Sequence, residues 1–384
     1  MKITIMALHL GFGGIEKYIA AVAGILSRQH EVEIIATYQV SENPAFFIPQ
    51  NVKISYLLPH TKPNREEFKQ AYQERHWLRL MKEIIVSFLV LSKKKIRNKR
   101  AIRSCQSDIL ISTRDFHNRL IQKYADSSIV KVATEHNHHQ NQQDYIDRLV
   151  ASCNRFDYFL PISKELTGFY QPLLPDVDVR YIPFFVEKAS KPHTKRNNDP
   201  VYVSVGRLSK EKGSIDLIKV FQKIHSILPN AVLHIAGDGP CYQEMISLTK
   251  TYQLQENIIF HGFLKREQLA ELYHRADIFL MTSQTESFGF VLLEAMSFGL
   301  PCIAFDSAQG AHEIIVEAVN GYFIADRDEA VYAKTAVDAF VEESQYKNMQ
   351  DGALRTADGY AYENTMQEWL TFIDEIAEKK EGHR

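Results

Sequence analysis

The 384-residue chain contains little that ties it to an unusual environment. It has four cysteines, Cys105, Cys153, Cys241 and Cys302, too far apart for a zinc-ligand spacing or a redox pair. A reducing cytosol is the compartment that fits them. The longest apolar run, "IIVSFLVL" at 84–91, falls far short of the roughly 20 residues that span a bilayer. No low-complexity tract and no repeat of 20–50 residues appears. The opening "MKITIMALHLGFGG" reads as a strand running into a glycine turn, without the basic lead and small-residue cleavage site of a secretory signal. Net charge is only −2, which provides no global field to gather nucleic acid, and no recognition motif accompanies the basic residues that are present. The length is too great for one ordinary core and suits two domains.

The charge is unevenly distributed. Residues 1–186 carry 25 Lys+Arg against 18 Asp+Glu, and residues 187–384 carry 20 against 29. Much of the first excess is one cluster, "KKKIRNKRAIR" at 93–103, comprising Lys93, Lys94, Lys95, Arg97, Lys99, Arg100 and Arg103. It follows "FKQAYQERHWLRLMKEIIVSFLVL" (68–91), where Phe68, Tyr72, Leu78, Met81, Ile85 and Leu89 recur at helical steps. Such a stretch can lie on an anionic membrane surface. It can also be a core helix followed by a solvated basic turn.

Strand-like runs alternate with helical patterns. "KITIMAL" (2–8), "EVEIIATY" (31–38), "VKISYLL" (52–58), "DILIST" (108–113), "VKVATEH" (130–136) and "YFLPIS" (158–163) read as strands. The polar stretch 187–200 reads as a linker. The alternation then restarts with "VYVSVG" (201–206), "AVLHIAG" (231–237), "NIIFHGF" (257–263), "ADIFLMT" (276–282) and "PCIAF" (301–305). Two α/β domains with parallel sheets are therefore expected, 1–186 and 200–364, with a binding cleft between them. The final helix, about 365–384, is expected to return to the first domain.

Four motifs carry candidate chemistry. Gly11, Gly13 and Gly14 sit between a strand and a helix, where backbone N–H groups can approach an anion. A dinucleotide fingerprint would want a third glycine where Glu16 stands, so a plain structural turn is the competing reading. "SVGRLSKEKG" (204–213) places Gly206, Arg207 and Lys212 at a strand end. Two cations there suit a diphosphate, although solvated surface charge is the simpler alternative. "EHNHH" (135–139) can pass for a metal cluster, but offers no carboxylate at a matching helical spacing. "TESFGFVLLEAMSFGLPCIAF" (285–305) holds Glu286 and Glu294 in otherwise apolar surroundings. Buried carboxylates need partners, and a ligand rich in hydroxyls, such as a sugar, would supply them.

Taken in order, Gly13–Gly14, Arg207 and Lys212, "AGDGP", "FHGF", the Glu-x7-Glu of "ESFGFVLLE", "AMSFGLPCIAFD" and "NGYFI" (320–324) resemble glycosyltransferase family 4. The match covers nearly the whole second half of the chain and is more diffuse in the first. The resemblance implies a GT-B fold of two Rossmann-like domains and a retaining, metal-independent transfer from a nucleotide-sugar, most commonly a UDP-sugar. It implies that Glu286 contacts donor-sugar hydroxyls, with amides around Phe288, Gly289 and Phe290. Glu294 would accept from the ribose, and Arg207 and Lys212 would hold the diphosphate. Main chain at Gly262, Phe263 and Leu264 would receive the base, and Gly13 and Gly14 would let donor and acceptor approach. His136 would lie beside the transferring sugar. No cofactor is expected, since the nucleotide-sugar is a substrate. The basic segment suggests a lipid-linked or other membrane-associated acceptor and a peripheral cytoplasmic location at the inner face of the membrane. A soluble glycoside or protein acceptor is the alternative, as is a non-catalytic GT-B partner subunit.

Overall fold

The computed structural model describes residues 1–59, 61, 70, 72, 74, 76–187, 189 and 198–382. The chain divides into two compact units, Met1–Ile182 together with Met366–Arg384, and Pro183–Thr365. Polarity suggests a boundary after Val186, but the division falls earlier because the apolar residues before the polar stretch already belong to the second unit. Phe184 packs edge-on against Phe290 with ring centroids 4.3 Å apart, and the Val186 N–H donates to the Tyr360 carbonyl at 2.9 Å. Most of the expected linker at 187–200 lies outside the described residues.

The first unit is a seven-stranded parallel sheet. Its strands are β1 (Lys2–Ala7), β2 (Glu31–Tyr38), β3 (Lys53–Leu58), β4 (Ile109–Ser112), β5 (Val130–Glu135), β6 (Tyr158–Pro161) and β7 (Asp178–Val179), in the order β3-β2-β1-β4-β5-β6-β7. The intervening helices are α1 (Gly14–Leu26), α2 (Trp77–Arg103), α3 (Asp115–Tyr124), α4 (Gln143–Cys153) and α5 (Lys164–Tyr170). β4 is buried at every position, the pattern of a strand covered on both faces. Of the expected helix at 68–91, the described helix α2 starts at Trp77 and runs past Leu91. Phe68 lies outside the described residues, and α2 continues to Arg103, so the basic cluster is helical and not a turn. The cluster contains no glycine or proline, and lysine and arginine favour a helix, most of all near its C-terminus.

The second unit repeats the plan with six strands. These are β8 (Val201–Val205), β9 (Val232–Ala236), β10 (Ile258–Gly262), β11 (Ile278–Met281), β12 (Cys302–Phe305) and β13 (Gly321–Ile324), in the order β10-β9-β8-β11-β12-β13. The helices are α6 (Ser214–Ile227), α7 (Tyr242–Thr251), α8 (Arg266–Arg275), α9 (Phe290–Ser297), α10 (Glu329–Val341) and α11 (Glu343–Gly359). The last helix, α12 (Tyr362–Gly382), buries Trp369, Phe372, Ile373 and Ile376. Two of its rings meet the first unit edge-on, Phe372 on Tyr158 at 5.0 Å and Trp369 on Tyr18 at 6.3 Å.

Both sheets reverse direction at a switch point, between β1 and β4 in the first unit and between β8 and β11 in the second. In open α/β sheets, ligands sit outside the carboxyl ends of the strands at such a point. The loops that leave these strands carry the sequence motifs. Gly11–Gly14 follow β1, Arg207 and Lys212 follow β8, and Glu286 follows β11.

Candidate active site

In the second unit the two motif loops meet. The Lys212 ammonium donates to Glu286 Oε2 at 2.6 Å, and Ser283 Oγ lies 3.4 Å from the same oxygen. The side chains keep 32% and 15% of their surface exposed. A pair that open is worth about 0–1 kcal/mol. It neutralises both charges yet separates at little cost when a ligand offers better partners. Gly213 makes the approach possible. It sits in the left-handed region at φ 61°, and a Cβ there would lie 1.8 Å from the Thr282 carbonyl. Gly289, at φ 97°, opens α9 with no side-chain cap, so the first N–H groups of that helix remain available to an anionic or carbonyl oxygen.

Glu294, in α9, is half-buried. Burial, with the Glu294 carboxylate next, pushes the Tyr273 phenol well above its usual range. The Phe288 ring belongs to the core, 5.2 Å from Phe290 and 5.8 Å from Tyr360, so only its main chain can serve a ligand. Gly206 follows β8 and Gly262 ends β10, the strands on either side of β9, and Gly237 after β9 donates its N–H to the Gly262 carbonyl at 2.8 Å. Phe263, beyond β10, is 57% exposed, with Leu264 next to it. Arg207 is exposed and lines a recess of about 360 Å³ with Ser209, Lys210 and Glu244.

One residue of this site was not legible in the sequence. Arg327 donates to the Thr282 carbonyl at 2.9 Å, the Ser283 carbonyl at 3.0 Å and Ser307 Oγ at 2.8 Å, and pairs with Asp216 at 2.5 Å. Its guanidinium lies 4.2 Å from the centroid of the Phe305 ring. Both Asp326 and Arg327 adopt positive φ, 54° and 53°, which is uncommon for residues other than glycine. Arg327 thereby clamps the stretch that leads from β11 to Glu286. "ADRD" carries no spacing signal that would have singled it out.

In the first unit, Gly13 and Gly14 are exposed at the start of α1. A Cβ on Gly13 would lie 2.1 Å from Glu16 Oε2. The buried Glu16 carboxylate thus folds back over the turn, 3.4 Å from both His9 Nδ1 and Arg114 Nη2. At the position where a dinucleotide fingerprint would have its third glycine, the chain thus places an acid over the turn. His136 follows β5. Its Nε2 is 2.8 Å from Thr134 Oγ1, its ring meets Tyr18 edge-on at 4.4 Å, and its Nδ1 has no hydrogen-bond partner. Burial, with the nearby Arg114 charge second, lowers its pKa to about 3, so the ring is neutral at physiological pH. Beside it, Glu135 accepts the N–H groups of His136 at 2.8 Å and Asn137 at 2.7 Å. Burial raises the Glu135 pKa, and those bonds oppose the rise.

The remaining histidines of "EHNHH" do gather with a carboxylate, one that the sequence spacing did not reveal. Ligand atoms of His138, His139 and Glu165 lie within 4.8 Å of one another. Their protonation argues against a metal. His138 Nδ1 accepts the Gln140 N–H at 2.9 Å, and His139 Nδ1 accepts the Asn141 N–H at 3.0 Å. A neutral imidazole that accepts at Nδ1 carries its proton on Nε2. In His138 that Nε2 faces Glu165 at 3.4 Å.

Residues 185–355 match the family model described as glycosyl transferases group 1. Over 398 residues the chain is 24% identical to the exopolysaccharide phosphotransferase of Streptomyces coelicolor, covering 100% of this chain and 42% of that protein. Several other curated relatives are likewise matched over about half their length or less. One is matched almost throughout. The Campylobacter jejuni GalNAc-alpha-(1->4)-GalNAc-alpha-(1->3)-diNAcBac-PP-undecaprenol alpha-1,4-N-acetyl-D-galactosaminyltransferase is 23% identical over 384 residues, 98% of this chain and 99% of that one. Among solved structures, Anabaena HepE in complex with UDP and glucose superposes with a TM-score of 0.75 at 16% identity, covering 97% of this chain and 99% of that one. The second unit thus matches the glycosyl transferases group 1 model over most of its length, and the chain has the GT-B fold seen in glycosyltransferases such as HepE.

Proposed function

We propose that the chain is a retaining glycosyltransferase that moves a sugar from a UDP-sugar to a lipid-linked or other membrane-associated acceptor. It would serve assembly of a cell-envelope or capsular polysaccharide or a glycolipid, working peripherally at the cytoplasmic face of the membrane. The observation that carries this reading is the open Lys212–Glu286 pair at the switch point of the second sheet. A nucleotide-sugar offers a replacement for each partner. Its diphosphate is an anion for Lys212 and Arg207, and its sugar hydroxyls are donors for Glu286. The amides at Phe288, Gly289 and Phe290 add to the sugar site, Glu294 accepts from the ribose, and main chain at Gly262–Leu264 holds the base. The UDP and glucose in the HepE structure and the undecaprenol-linked substrate in the Campylobacter name support the choice of donor and acceptor class.

Cleavage sends the electron pair of the sugar–oxygen bond to the diphosphate. Lys212 and Arg207 stabilise that charge from fixed positions, a contribution made mainly in the transition state. The acceptor hydroxyl forms its bond to the same face of the sugar and gives its proton to the departing phosphate. Gly13 and Gly14 leave room for both substrates, and neutral His136 hydrogen-bonds the transferring sugar. The test is a panel of UDP-, GDP- and ADP-sugars incubated with the wild type and Glu286→Ala. Wild-type release of UDP, not UMP, with an α-configured product from an α-configured donor is expected. UMP would indicate transfer of a sugar-phosphate in place of a sugar; the Streptomyces relative is named a phosphotransferase. Equal turnover by Glu286→Ala overturns the site.

A further inference from the structure

α2 is an unusual helix for a folded unit. It spans 27 residues, and only Asn98 and Ile102 are buried. Its first half presents large apolar side chains to solvent: Trp77 is 74% exposed, Leu78 82%, Met81 57%, Ile85 55%, Phe88 69% and Leu89 50%. At 3.6 residues per turn these six fall within roughly a third of the circumference. The same three- and four-residue steps carry the stripe from Phe88 through Ser92 to Lys95 and Lys99. One continuous face is therefore apolar over its first four turns and basic over its last three. The helix carries nine Lys+Arg, from Arg79 to Arg103, against the single acid Glu83.

The two halves are attached differently. The second half is fastened to the first unit. Thr37 Oγ1 donates to buried Asn98 Oδ1 at 3.1 Å, Lys94 Nζ stands 3.8 Å from the centroid of the Phe116 ring, and Lys99 Nζ stands 4.6 Å from that of Tyr124. The first half, Trp77–Leu91, has no buried residue. Among the described residues no helix is long and apolar enough to cross a membrane.

We propose that α2 docks the first unit onto an anionic lipid bilayer, laying the apolar face of Trp77–Leu91 into the headgroup boundary while Lys93, Lys95, Arg97 and Arg100 meet the negative surface. The proposal deepens the reading of a membrane-associated acceptor and rests on it only for its biological purpose. Charge decides the occupant. A second copy packed in parallel would bring the two basic stretches together, and one packed antiparallel would set apolar side chains against lysines. A bilayer with anionic headgroups satisfies both halves at once, with the helix in the interface plane.

The protein carries its own reporter. Of the two tryptophans, Trp77 is exposed and Trp369 is 1% exposed. Wild-type protein mixed with phosphatidylcholine–phosphatidylglycerol vesicles at low salt is expected to co-sediment and to shift its fluorescence to the blue. Trp77→Phe should remove the shift while sedimentation persists. Pure phosphatidylcholine vesicles should retain much less protein. Lys93→Gln/Lys95→Gln/Arg100→Gln should weaken partition at least tenfold, since each surface cation contributes several-fold and salt screens part of it. UDP-sugar hydrolysis by this triple variant should match wild type, which separates failure of docking from failure of the donor site. No binding to anionic vesicles, equal binding to neutral ones, or a blue shift that depends on protein concentration without lipid would each overturn the proposal. The last result would assign the face to a second copy.

Discussion

The loops after β8 and β11 in the second unit end in an open ion pair, Lys212 with Glu286, whose charges are both partly exposed. The corresponding edge of the first unit is built the other way. Its acids, Glu16 and Glu135, are buried, and its histidines His117 and His136 are held neutral, each with a pKa lowered to about 3. The two sheets share a strand order, so topology alone does not distinguish them. The difference lies in what each edge can do on meeting a ligand. The second unit can trade one set of charges for another, as an anionic, hydroxyl-bearing ligand requires. The first keeps the acid of its Glu16–Arg114 pair buried and otherwise offers shape and neutral hydrogen bonds, which suit a partner that brings little charge of its own.

The comparison breaks most sharply at the ion pair. Glu286→Ala and Lys212→Ala should each lower kcat/KM for donor hydrolysis by at least 100-fold, about 3 kcal/mol, the scale of a lost preorganised electrostatic contact. Urea unfolding should change by less than about 1 kcal/mol, because a partly exposed pair with solvent at Lys212 stabilises the fold little. A large stability loss with intact turnover would make the pair structural and erase the contrast with the first unit.

Arg327 sharpens the same contrast one step back. It acts through the backbone, holding the carbonyls of Thr282 and Ser283. Arg327→Lys retains the charge for Asp216 but cannot reach every partner with a fixed fork. A fall of about 2 kcal/mol in kcat/KM is expected, mostly in kcat, whereas Asp216→Asn should preserve more activity because the carbonyl contacts remain.

How far the sequence went follows the same division. Strand–helix alternation, the restart at 201 and the place of each motif at a strand end were readable because they depend on local periodicity and glycine. Glu286 and Lys212 stood out as charges in apolar or glycine-rich stretches, but the sequence pointed to a ligand as the partner of each and did not show that they pair with one another. Arg327 and Glu165 were not, because each works through contacts distant in sequence: Arg327 reaches Asp216 and Ser283, and Glu165 reaches His138. Of the two readings open for 93–103, the solvated turn fails, because nothing in the cation cluster breaks a helix and α2 runs through it.

Acid should expose the first unit. His117 is fully buried, its Nε2 3.1 Å from Thr37 Oγ1 and its Nδ1 without a partner. Burial, then the charges of Lys94 and Arg114, lower its pKa to about 3. Because the folded value lies below the unfolded one, the unfolded chain binds the proton more readily. Stability is therefore full above about pH 6.5 and falls as pH drops toward 3, by up to about 1.4 kcal/mol per pH unit for each such histidine. Urea melts followed by Trp369 fluorescence in a Trp77→Phe background should show that slope between pH 6.5 and 4.5, and His117→Gln should flatten it.

The smallest expected effect concerns how each unit starts a helix. In the first unit Ser163 caps α5 from a buried position, accepting the Leu166 N–H at 3.2 Å. In the second, exposed Asp328 caps α10, accepting the N–H groups of Ala330 at 2.8 Å and Val331 at 3.0 Å. Asp328 is adjacent to Arg327, so a loss of activity on changing it would mean that the cap sets the clamp. The backbone argues otherwise. The Asp328 bonds point into α10, whereas Arg327 is fixed by four partners of its own. Asp328→Ala should therefore cost about 1 kcal/mol of stability and leave kcat/KM within twofold of wild type. Asp328→Asn, which keeps the accepting oxygen and loses only the charge facing the helix dipole, should recover most of the loss. A drop in kcat/KM that Asn restores would join cap and clamp into one device.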